Sequence, residues 1–140
     1  MSYLSAGLEA LLLNDAAVVN LLGSNIFVGD IPEGVGTPNL YLTMLHAVPV
    51  QTHGGVSPGA WQMFMFEWSD PSYAVVDSIR KAVYRCLLSY RGQVETASGV
   101  VDIENILYVD SKLWPYDPDL RLHTFQVVLK VQYKEDLSGG

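Results

Sequence analysis

Cations are scarce in this chain: eight Lys and Arg stand against fifteen Asp and Glu, for a formal net charge of −7, and no window reads as a basic stripe. Affinity for nucleic acid comes largely from Lys and Arg displacing counterions, so the composition argues against a direct phosphate-binding role. Cysteine is reduced to Cys86, which rules out an internal disulfide and fits a chain made in a reducing cytosol. Its neighbours at helical spacing, Ala82, Val83 and Tyr90, mark it as a small buried hydrophobe and not a nucleophile. No uninterrupted apolar run approaches the ~20 residues that span a bilayer. The opening MSYLSAGLEALLLNDAAVV lacks the basic region of a signal peptide, and Glu9 and Asp15 interrupt its apolar run, so the sequence predicts a chain that is not routed through a membrane. Charge of either sign is thin, at 16% of residues, while hydrophobic residues reach 49%. An average soluble domain carries about 25% charged residues. A lone monomer of this composition would leave much apolar surface wet, which predicts that other subunits cover part of it.

What is present reads as one domain over residues 1–140, long enough to bury about two-thirds of its unfolded surface. Ser5 is a plausible N-cap for a helix over Ala6–Leu13, with Leu8, Leu11 and Leu12 on one face. Asn14-Asp15 breaks that helix and caps a second, with Val18, Val19 and Leu22 apolar and Gly23 at its end. A short strand follows at Ile26–Val28, then a Pro- and Gly-rich connection, then a strand at Leu40–His46. Residues 46–60 hold three glycines and two prolines without helical period and predict a projecting loop of the kind that contacts partners. Trp61–Trp68 reads WQMFMFEW, with Trp61, Met63 and Met65 pointing one way and Phe64, Phe66 and Trp68 the other. Both faces are apolar and both need cover.

Asp70 as N-cap and Pro71 at the first helical position start the long amphipathic helix. Its stripe is Val75, Val76, Ile79, Ala82, Val83, Cys86, Leu87 and Tyr90, and Gly92 ends it. A strand at Val100–Val109 follows, with Val101, Ile103, Leu107 and Val109 on one face, then a loop DSKLWPYDPDL, then the clean alternation of His123–Lys134. The order predicts an α+β fold in which a mainly antiparallel four- to five-stranded sheet packs against an N-terminal bent helix and one long amphipathic helix. Residues 138–140 should fray.

The residues that carry chemistry do not assemble in sequence. His46, His53 and His123 are scattered, and none pairs with a second ligand at i, i+4. GDIPEGVG lacks both Gly-x-Gly-x-x-Gly and Gly-Lys-Ser/Thr. Carboxylates cluster at Asp102 and Glu104, at Asp117 and Asp119, and at Glu135 and Asp136, in loops or on an outward strand face, where a solvated acidic surface is the simplest reading. The aromatic strand could stack bases only with a basic groove beside it. No catalytic, metal or cofactor site is predicted.

The stretch LEALLLNDAAVVNLLGSNIFVGDIPEGVGTPNLYL resembles the opening of the phage tail completion, or tail terminator, proteins of long-tailed phages. The matching positions are the Leu-rich helix Leu8–Leu13, the Asp15 and Val18 turn, Gly23 with Ile26, and Pro38 before Leu40–Leu42; Asn25 and Glu33 stand where relatives commonly have Arg and Gln. The likeness extends in outline to the second half, where an aromatic strand leads through Asp-Pro into a long helix and two strands. It implies a non-enzymatic virion subunit without cofactor that forms a ring, typically hexameric, on the last tail-tube ring. Such a ring stops tube polymerisation and offers a docking face to the head connector, with DNA passing through the lumen unbound.

On that reading Trp61, Met63, Met65, Phe64, Phe66 and Trp68 are expected at a subunit interface. Pro49, Gln51, His53 and Val56 are expected to contact tube or connector, and Asp102 and Glu104 to line an acidic lumen. Two other readings compete: a head-side connector or stopper of the neck, and a small cytoplasmic ligand-binding module or enzyme.

Overall fold

The computed structural model describes residues 2–49, 59–97 and 99–134. Helices α1 (Ser2–Leu13), α2 (Ala16–Leu22) and α3 (Tyr73–Leu87) accompany six strands: β1 (Ile26–Val28), β2 (Asn39–Pro49), β3 (Gly59–Asp70), β4 (Gly92–Thr96), β5 (Gly99–Leu113) and β6 (His123–Lys134). The strands form one sheet in the order β1-β2-β3-β6-β5-β4, with β1 parallel to β2 and every other pairing antiparallel. The architecture is thus α+β, but with six strands, a parallel edge and three helices where four or five strands and two helical units were expected.

Leu4, Leu8 and Leu12 recur every fourth residue along α1, and each is at most 1% exposed. The helix touches β1 and β2 on one side and β4 and β5 on the other. Since β1 and β4 are opposite edges, the sheet must curl around α1. Asp15 then caps α2, accepting a hydrogen bond from the Val18 N–H at 3.1 Å, and the break turns the chain by 85°. Gly23 closes α2 at φ 60°, where a side chain would strain the backbone, and donates its N–H to the Val19 carbonyl at 2.7 Å. Among the described residues no single helix is long and apolar enough to cross a membrane.

The second helical cover is α3. Its N-cap is Ser72, two residues after the expected one: Asp70 Oδ2 accepts the Ser72 N–H at 2.8 Å, and the Ser72 hydroxyl accepts the Val75 N–H. Val76, Ile79, Ala82, Val83 and Leu87 are buried, while Val75, Cys86 and Tyr90 flank them half-buried. The indole N–H of Trp68 donates to the Val76 carbonyl at 3.0 Å and anchors the helix to β3. The helix stops at Leu87, and Ser89, at φ 64°, ties the turn to β5 through the Ile106 carbonyl. Gly92 therefore does not end the helix. It opens β4, a strand that sequence reading missed because only Val94 in it is buried.

Three further expectations need correction. Residues 46–60 are not one loop, because β2 runs to Pro49 and β3 begins at Gly59; the expected contact residues Gln51, His53 and Val56 lie outside the described residues, as do residues 138–140. The segment DSKL belongs to β5 and not to a loop. The ladder of β5 with β6 shifts between Ile103 and Asn105 and again between Tyr108 and Asp110, so Glu104 and Val109 are inserted residues. Each insertion flips the alternation. Ile106 takes the buried place expected for Leu107, while Leu107 and Val109 stand 39% and 40% exposed.

Replacing Leu8 by Ala should leave a cavity where the helix fills the curled sheet and cost about 2–5 kcal/mol, read as a lowered midpoint in urea unfolding with an unchanged slope.

Candidate functional site

Strand β3 separates two environments. Ala60, Gln62, Phe64, Phe66 and Trp68 face the helices and are buried. Trp61, Met63 and Met65 alternate with them and are only half-buried. Three of the six side chains expected at an interface, Phe64, Phe66 and Trp68, therefore belong to the chain's own core, because α1 and α3 already cover that face. Of the expected set, Trp61, Met63 and Met65 lie outside that core.

Around that stripe the register sets Thr43 and Val128 beside Met65, Lys130 beside Met63, and Gln132 beside Trp61. Lys130 places its Nζ 4.6 Å from the Trp61 ring centre. Tyr41 donates its hydroxyl to Glu67 at 2.8 Å; burial and that carboxylate push the phenol up to about 12, so the bond persists across the neutral range. The face is a mixture of apolar stripe and fixed polar pairs, a composition suited to protein contact.

Beyond it, the far half of β5 and the connection to β6 form an arm. Lys112 lies 3.6 Å from the Trp114 ring centre, and the Trp114 indole N–H donates to Gln126 at 3.2 Å. At the tip Asp117 Oδ1 accepts the N–H groups of Asp119 and Leu120, Asp117 bridges to Leu122, and Arg121 sits at φ 56°. This ordered turn holds Leu120 outward at 68% exposure, next to exposed Leu113, Trp114 and Tyr116. Sequence reading passed over these residues because Pro115 and Pro118 mark a loop; the apolar content of LWPYDPDL was the available signal.

Asp102 stands opposite Gln93 and Lys134 in the ladders, and Glu104 is the exposed inserted residue of the first bulge. His123 is packed between the rings of Tyr116 and Tyr73. Cys86 donates its thiol to the Leu11 carbonyl at 3.4 Å, and burial, reinforced by the nearby Asp15 carboxylate, pushes it up to about 12. Such a thiol is no nucleophile at neutral pH. Among the described residues no three His, Cys, Asp or Glu side chains come together as metal ligands would. A groove of about 480 Å³ opens between α1 and β1, lined by Ser5, Ala6, Glu9, Phe27, Val28, Asp30 and Pro32.

Comparison with solved structures places this geometry in context. The chain shares its fold with a chain of the "Virion of native gene transfer agent (GTA) particle", with a TM-score of 0.67 over 94% of this chain and 95% of that one. At 16% identity the likeness is one of fold. No family model and no curated protein matches the sequence. The match spans both chains almost end to end, so the curled sheet, its helical cover and the β5–β6 arm are compared as one unit.

Gln62 is fully buried beside Ala47 and Val131 in the ladders, and neither its amide nitrogen nor its oxygen has a hydrogen-bond partner among the described residues. An unpaired buried amide costs about 1–3 kcal/mol. Gln62→Met, close in shape, should raise the melting temperature by roughly 3–6 °C; a fall would show that the amide is satisfied in solution. Cys86 should resist thiol reagents at pH 8 in the folded chain and react at once when urea unfolds it.

Proposed function

We propose that the chain is a non-enzymatic structural subunit of a phage-type virion, forming a ring that caps the head-proximal end of the tail tube and receives the head connector. The observation that carries this reading is the fold shared almost end to end with a chain of a gene transfer agent virion. Three features support it: the half-buried Trp61, Met63 and Met65 on the sheet face opposite α1 and α3, the apolar arm tipped by Leu120, and the low overall charge. In the particle, the Trp61 stripe is covered by another subunit, and Pro49, Gln51, His53 and Val56 contact tube or connector. Asp102 and Glu104 add negative charge to the lumen, where like charge keeps passing DNA from adhering.

A connector or stopper of the same neck is the second reading, which the shared virion fold fits equally. Electron microscopy of a strain lacking the gene separates the two. Overlong tubes are expected for a terminator; normal tails beside leaking heads would establish the connector. In the same system, Met63→Asp with Met65→Asp should leave a folded monomer, because neither side chain is in the core, yet abolish incorporation into particles. Normal incorporation of that variant would remove the sheet face from the contact surface.

A further inference from the structure

The charge of this chain is divided along its length. Residues 1–79 contain seven carboxylates and no Lys or Arg, whereas residues 80–140 contain all eight cations and eight carboxylates. The whole net charge of −7 therefore belongs to the part that forms α1, α2, β1, β2, β3 and the start of α3.

The fold converts this division into two separate surfaces. One is the groove between α1 and β1, whose wall of Ala6, Phe27, Val28 and Pro32 is apolar and which carries the carboxylates of Glu9 and Asp30. Glu33 follows in the exposed connection. Among the described residues none of these three acids has an ion pair. The other surface is the outward side of α3. Lys81 and Arg85 lie one turn apart and exposed, and Arg91 is exposed just beyond the helix. Arg80 and Lys81 share Asp77, at 3.0 and 3.4 Å, while Arg85 and Arg91 have no ion pair among the described residues.

The two surfaces are complementary in more than sign. A Lys or Arg stem lays its methylenes on apolar surface while its head reaches a carboxylate, and the groove offers both within one cavity. Within one copy they belong to different elements, since α3 packs on α2 and α1 while the groove lies between α1 and β1. Two unlike patches on one molecule make a heterologous contact, which repeats from copy to copy and closes into a ring when the rotation allows. Copies that each carry −7 also need a local attraction of this kind to approach in one orientation.

We propose that copies of this chain join head to tail, the Lys81 and Arg85 side of α3 in one copy seating on the Glu9 and Asp30 groove of the next. This rests on the ring-subunit reading and adds to that ring a lateral contact between helix and groove.

The test uses the full chain and two charge-reversed variants, Lys81→Glu with Arg85→Glu, and Glu9→Lys with Asp30→Lys, followed by light scattering and native mass spectrometry, alone and with tube protein. The wild type should associate at low ionic strength and weaken toward about 1 M salt. Each variant alone should lose at least about tenfold in association constant while keeping its melting temperature. An equimolar mixture of the two should recover it, because acidic helix then meets basic groove and the reverse in alternation. Should either variant fail to fold, Arg85→Gln and Glu9→Gln replace them, and each should weaken association several-fold. Wild-type rings that persist unchanged in both variants, or variants whose mixture shows no recovery, would overturn the α3-to-groove contact and leave the ring reading standing. A wild type that remains monomeric at every concentration and with tube protein would overturn both.

Discussion

The structure depends on the leucine stripe of α1. Leu4, Leu8 and Leu12 occupy the hollow of a sheet whose two edges both reach the same helix. Burying each such side chain stabilises the fold by about 1.5–3 kcal/mol. That helix lets a sheet with unlike edges curl in the first place: without it β1 and β4 would have no common neighbour, and the buried positions of β5, Val101 and Ile103, would face water. Beyond the 85° turn at Asp15, α2 packs against α3 and α1 and brings Val18 and Leu22 into the same core before β1 begins.

Filling the hollow from one side leaves the other side of the sheet unequal. The inner face is covered by α1 and α3, down to a buried tryptophan bonded to a helix carbonyl. The opposite face holds a tryptophan and two methionines among fixed polar pairs, with a lysine laid across the indole. Methionine adapts its shape to what it meets, and tryptophan supplies large contact area. A lysine on an indole is a contact that a partner can add to or displace at little cost.

Where a single period runs without interruption, the sequence was readable. The 3.6-residue stripe of α3 and the two-residue alternation of β6 appear in the structure nearly residue for residue, and Asp15 caps α2 as its position suggests. Reading failed where the ladder itself breaks period. Glu104 is a single insertion that reverses the side chains after it, Val109 is a second that restores the original phase, and nothing local distinguishes them from their neighbours. At Asp70 and Ser72 two adjacent capping residues competed, and the one nearer the helix became the cap while the other secured the turn before it. The site was half legible: that WQMFMFEW has two apolar faces is plain from the letters, but which face lies inside was decided by distant helices. The arm was hidden by its prolines. The charge division was always countable, yet it acquires meaning only when the fold sets the acidic groove and the basic helix surface on different elements.

The thiol of Cys86 has one more implication. It sits against the Leu11 carbonyl, half-buried between two helices and held in its protonated form. In oxidising surroundings exposed thiolates cross-link or climb to sulfenic acid. A sulfhydryl kept neutral and tucked against a peptide oxygen escapes that chemistry. The same packing of α3 on α1 thus spares the single sulfur of the chain from chemical ageing.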